Sequence, residues 1–179
     1  NFIEALSKIF NITSSELLQN IIKNLTPFEF ININNGDLVK IFSNDNITFK
    51  NNKKIFIFLK WCKHYHQFVK FMNCERILSI KPNHLNENID KHILSLIRIY
   101  YAFENFKNYL ANDNIKKNYN YIWHLASQPN KMFSNQGANI IIIEKKLDAG
   151  LEKINILCPE INNINDIYNN TKPYCVILK

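Results

Sequence analysis

Glycine is almost missing from this chain of 179 residues: Gly36, Gly137 and Gly150 are its three, and its five prolines are scattered. The glycines stand too far apart to form a phosphate-cradling loop, which argues against nucleotide hydrolysis. No Gly-, Ser- or Pro-rich run breaks the text, so no linker is visible and residues 1–179 are expected to form one domain. Cysteine is sparse as well. Cys62, Cys74, Cys158 and Cys175 follow no framework spacing, which points to free buried thiols in a reducing compartment. No uninterrupted run of about 18 apolar residues is present to span a bilayer, and the first residues lack the basic-then-apolar layout of a signal peptide. An intracellular setting is expected, without a membrane. The chain starts at Asn1 and stops on YCVILK, which reads as a strand, so a piece of a longer polypeptide is expected.

What is present suits a packed core. Apolar residues make up 46% and aromatic residues 13%, enough for one substantial hydrophobic interior. Asn accounts for 30 residues, interleaved with Ile, Phe and Leu, which fits an A/T-rich genome and a folded chain better than a disordered tract. The net charge of +7 favours an anionic partner such as nucleic acid. It is spread out, however: the longest basic runs are the pairs Lys53-Lys54, Lys116-Lys117 and Lys145-Lys146.

Periodicity predicts an α+β fold. Residues 1–10 and 14–24 read as short helices, the second opened by Thr13, Ser14 and Ser15 with Glu16 following, and closed off by Pro27. In FEFININNGDLVKIF, Asn34-Asn35-Gly36 suits either a turn between extended pieces or a cap before a short helix. Residues 53–72 read as a helix with Ile55, Phe58, Leu59, Cys62, His66 and Val69 on one face, a strand over IFIFL being the competing reading. The clearest element is a long amphipathic helix over 87–111, carrying Ile89, Ile93, Leu96, Ile97, Tyr100, Phe103 and Leu110 at helical spacing. After a shorter helix near 117–127 the period turns to that of strands in ANIIIIEK, KINILC and YCVILK, the first two joined through LDAG as a hairpin. About five helices are thus expected to pack on a small, mostly antiparallel sheet at the carboxyl end. Ile140–Ile143 run without alternation, so that strand is expected to be covered on both faces.

Chemistry is thinly represented. Cys62, His64 and His66 could begin a zinc site, but no second half accompanies them, and no metal or cofactor is expected. His124 with Cys158 or Cys175 lacks any local sign of an activated thiol. Glu144 and Lys146 on one strand resemble half of a metal-dependent nuclease site, with no convincingly placed preceding acid. Lys60, Lys63, Gln67 and Lys70 are spaced 3, 4 and 3 apart and would line up as a polar stripe able to track a phosphate backbone, with Trp61, Tyr65 and Phe68 nearby.

Three phrases, LTPFEFININNGDLVKIF (25–42), LIRIYYAFENFKNYLANDNIKKNYNYIWHLASQPNKMFSNQGANIIIIE (96–144) and INILCPEI with YCVILK, stand in this order along most of the chain. Together they resemble a domain of giant-virus proteins, mimivirus-like and asfarvirus-like, related to the large subunit of the poxvirus early transcription factor. The resemblance rests on packing and turn residues. It implies a non-catalytic module of a transcription-initiation protein that contacts double-stranded DNA, the viral RNA polymerase or other transcription subunits, in the host cytoplasm or the virion. It supplies no catalytic residues. On this reading Tyr119, Tyr121, Ile122, Trp123 and Leu125 hold a helix against the IIIIE strand, and His124 is incidental. The competing classes are a nuclease-like hydrolase using Glu144 and Lys146, and a pure protein-interaction domain.

Overall fold

The computed structural model describes residues 2–43, 49, 52–148, 151–157 and 170–179. In chain order these form α1 (Phe2–Ile9), α2 (Ser14–Asn24), α3 (Pro27–Asn32), α4 (Asp37–Phe42), α5 (Asn52–His64), α6 (His66–Phe71), α7 (Lys91–Ala111), α8 (Tyr119–Ser127), β1 (Asn139–Asp148), β2 (Leu151–Leu157) and β3 (Tyr174–Leu178). The class is α+β, with helices first and a small sheet last. More helices form than the five expected, because the text between Pro27 and Phe42 and that between Asn52 and Phe71 each divide in two. Among the described residues no helix is long and apolar enough to cross a membrane. The chain resolves into two compact units, Thr26–Tyr109 and Asn1–Leu25 with Leu110–Lys179.

Local signals place the first helices. The Thr13 hydroxyl accepts the Glu16 amide at 3.1 Å while the Glu16 carboxylate accepts the Thr13 amide at 2.8 Å, a reciprocal cap that starts α2. The same device recurs at Thr26 and Glu29, at 2.8 and 3.3 Å. Pro27 therefore begins α3 at its first position, where the missing N–H costs nothing, and does not merely end α2. Gly36, at φ 84°, turns the chain into α4, so the helical alternative for this stretch is the one adopted.

In the unit Thr26–Tyr109 the core is aromatic. Phe103 on α7 is fully buried and meets Phe30 at 5.6 Å, Trp61 at 6.1 Å and Tyr65 at 6.0 Å between ring centroids. Phe106 meets Phe30 and Phe42 at 5.6 and 5.2 Å, and Tyr100 meets Phe58 and Trp61 at 5.1 and 5.4 Å. Edge-on and tilted ring pairs of this kind add about 0.5–1.5 kcal/mol each to the burial itself. The buried arc of α7 is wider than the predicted stripe, since Ile99, Ala102 and Phe106 are buried too. The helix begins at Lys91 because Asp90 caps it, accepting the Ile93 amide at 2.8 Å.

The other unit centres on a sheet of order β2-β1-β3. β1 pairs with β2 antiparallel, from Ile142 opposite Leu157 to Asp148 opposite Leu151, and with β3 in parallel, from Asn139 beside Tyr174 to Ile143 beside Leu178. The sheet is therefore mixed. The LDAG turn extends onto Ala149 and Gly150, outside the described residues. Ile140 and Ile142 are buried on the face that α8 approaches, and the Trp123 indole donates to the Ile140 carbonyl at 3.3 Å. Ile141 and Ile143, by contrast, are only half-buried, which corrects the expectation of cover on both faces. The α8–β1 connection is closed by the Ala138 amide donating to the Ala126 carbonyl at 2.9 Å. Inside that turn the Asn130 side chain accepts the Met132 and Phe133 amides at 2.9 and 3.0 Å.

Two substitutions check this packing by urea unfolding. Phe103→Ala should destabilise by about 3–5 kcal/mol, as expected for a fully buried ring. Gly137→Ala puts a Cβ 2.5 Å from the Ser127 carbonyl oxygen at a φ of +71°, and should destabilise by more than the ~1 kcal/mol that a compatible glycine-to-alanine change adds.

Candidate nucleic-acid interface

The stripe predicted on one helix lies on two. α5 ends at His64, Tyr65 takes φ −102° and ψ 40°, and α6 starts at His66. Lys60 and Lys63 belong to α5, Gln67 and Lys70 to α6, and all four are exposed. Trp61 and Phe68 are buried and Tyr65 half-buried, so they do not flank the stripe as expected; they anchor it from behind. The Trp61 indole N–H has no hydrogen-bond partner among the described residues, so packing alone holds the ring.

The outward side holds residues the stripe left out. Helical geometry puts Lys53, Phe56, Ile57 and His64 on the same side of α5 as Lys60 and Lys63, and all of them are exposed, Phe56 by 65%. Phe71 at the end of α6 is 60% exposed and leans on Phe28 at 5.3 Å. Lys53, Lys60, Lys63 and Lys70 have no ion-pair partner among the described residues. Acids of this unit are occupied elsewhere: Asp90 pairs with Arg76 at 2.5 Å and Asp37 with Lys40 at 3.4 Å. A plain signal was available in the text. From residue 46 to residue 74 there are six lysines and not one Asp or Glu. The unit Thr26–Tyr109 carries twelve Lys and Arg against seven Asp and Glu, a net +5 of the chain's +7.

The other candidates have structural surroundings. Cys62 points into the core while His64 and His66 are exposed, so they do not share a face. Among the described residues no three His, Cys, Asp or Glu converge as a metal-holding group. Burial pushes the Cys62, Cys74 and Cys175 thiols up, the opposite of activation. Cys158 lies outside the described residues. His124 sits half-buried on α8, between the buried Trp123 and Leu125.

Glu144 faces the inner side of the sheet, 6% exposed. The Lys179 ammonium donates to its Oε1 at 2.5 Å and Lys146 stands 3.5 Å from Oε2, while Lys179 also lies over the Tyr119 ring at 5.1 Å. That hydrogen bond from Lys179, ahead of the surrounding positive charge, holds the Glu144 carboxyl below its ordinary value. The group is thereby neutralised in place, which suits a sheet anchor more than a metal ligand. No family model, curated protein or solved structure matches the chain.

The lowered Glu144 value sets a sign for pH. The unfolded chain binds this proton more readily than the folded one, so the stabilisation is complete above the ordinary value of 4.5 and is lost as pH falls through the folded value. Glu144→Gln should lower the thermal midpoint at neutral pH and converge with the unsubstituted protein in the acid limb. A constant difference across that limb would refute the assignment.

Proposed function

We propose that this chain is a non-catalytic module that contacts nucleic acid through the outer side of α5 and α6. The observation that carries this reading is a run of exposed lysines, Lys53, Lys60, Lys63 and Lys70, without acidic partners among the described residues, in a 29-residue stretch free of Asp and Glu. Ammonium groups with no internal partner are stabilised by phosphate oxygens and by release of the counterions those phosphates hold. Phosphate contact of this kind positions a partner without reading its sequence. The resemblance to the large subunit of the poxvirus early transcription factor, in its mimivirus-like and asfarvirus-like relatives, suggests the setting. Double-stranded promoter DNA is then the partner on this face, within a transcription-initiation protein that also meets the viral RNA polymerase, in the host cytoplasm or the virion. Glu144 and Lys146 supply no hydrolase in this reading, because their charges are spent on each other and on Lys179.

The test is titration of a short duplex at two salt concentrations, comparing the unsubstituted chain with Lys60→Ala/Lys63→Ala/Lys70→Ala. Affinity should fall steeply with salt. The triple variant should bind more weakly and lose up to ~2.7 from the log-log salt slope, about 0.9 for each phosphate contact removed. Equal binding by the triple variant, or no duplex binding at low salt, would overturn the proposal.

A further inference from the structure

The outer face of the sheet is apolar and open. Side chains alternate along each strand, and paired residues on neighbouring strands point to the same side. With Ile140, Ile142 and Glu144 turned inward, the register of β1 with β2 and β3 assigns Leu147, Ile154, Ile156, Tyr174, Val176 and Leu178 to the opposite face. These six are 49–79% exposed, and the half-buried Ile141 and Ile143 run between them. Their exposed surface comes to roughly 700–800 Å², above the 300–600 Å² patch of an ordinary monomer and close to the ~800 Å² per partner of a stable protein interface.

We propose that this face is the interface of a homodimer, in which two copies stack sheet on sheet about a two-fold axis, about 10 Å apart. Charge favours a second copy over an anionic partner. The unit that carries the face has ten Lys against eight Asp and Glu, a net of only +2. Among the described residues the charged pair within the patch is Lys145–Glu152, at 2.6 Å, which is neutral as a whole. An isologous contact sets each such pair against its own kind and leaves no charge unmatched. Pairing through β2 or β3, the outer strands of the described sheet, would be a different way to associate, but that would leave the apolar face wet.

Sedimentation equilibrium of the 179-residue chain, with hydroxyl-radical footprinting across the same dilution series, tests the proposal. The mass of two chains is expected, with Tyr174 and Leu178 protected from oxidation as concentration rises. Ile154→Glu on β2 and Val176→Lys on β3 should each raise the dimer dissociation constant at least ~30-fold, as loss of an interface hot spot does. Ile41→Glu, an exposed change on α4, should leave the mass unaltered. The proposal fails if the chain is monomeric at ~100 µM, above the micromolar limit of interfaces this size. It also fails if the dimer forms while Tyr174 and Leu178 stay oxidisable. Because footprinting needs no variant, a substitution that unfolds the chain does not remove the test.

Discussion

Burial of one side of α5 and α6 is the constraint from which the exterior of the unit Thr26–Tyr109 follows. Ile55, Phe58, Trp61, Cys62, Phe68 and Val69 are committed to the aromatic core. At 3.6 residues per turn the positions between them are then forced outward. The lysines do not choose their exposure; the rings behind them do. Lys60 and Lys63, three residues apart, repel by a few tenths of a kcal/mol on a helix surface, and neither has an ion-pair partner among the described residues. A fully buried phenylalanine outweighs several such pairs. The core thus tolerates a charge pattern that would weaken an isolated helix, and a phosphate chain would relieve it.

The helix axis is interrupted at Tyr65, yet the Tyr65 amide still donates to the Trp61 carbonyl at 2.9 Å and the Val69 amide to the Tyr65 carbonyl at 3.0 Å. Trp61, Tyr65 and Phe68 therefore keep to one side, with Phe68 facing Phe28 at 5.0 Å and Trp61 at 6.2 Å. Lys70 and Phe71 follow in a short helix whose exposed end is aromatic. The outer side is consequently two patches with one sign of charge, joined by Gln67, and not a ruled line.

Local chemistry was legible in the text, and long-range chemistry was not. The cap at Thr13, the long helix ending near residue 111 and the three strands all rest on signals within a few residues of each other. Of the α8 residues expected to hold it on the sheet, Ile122, Trp123 and Leu125 are buried and Trp123 reaches the Ile140 carbonyl, while Tyr119 and Tyr121 are half-buried. α2 does stop before Pro27, but the same proline also opens α3, a helix start marked by Thr26 and Glu29 and left unread. The parallel pairing of β3 depends on where the chain returns after β2, which no short window contains. Four isoleucines in a row suggested cover on both sides, yet Ile141 and Ile143 face the open side with Val176 and Leu178. The exposed Phe56, Ile57 and Phe71 were missed because apolar residues were assigned to the core by type. The absence of acids from 46 to 74 would have marked their surroundings.

Two exteriors of opposite character thus belong to one chain, and they answer differently to solution conditions. Contacts between ammonium and phosphate weaken as salt rises, because the counterions they displace become easier to retain. Burial of aliphatic surface is not screened, and salts excluded from the protein surface strengthen it. Neither exterior can substitute for the other: the sheet face has too few cations to follow a phosphate chain, and the helix face interrupts its apolar side chains with a lysine on almost every turn. Within the sheet, the Glu144 carboxylate holds the Lys179 ammonium at 2.5 Å, and so ties the residue that follows β3 to β1.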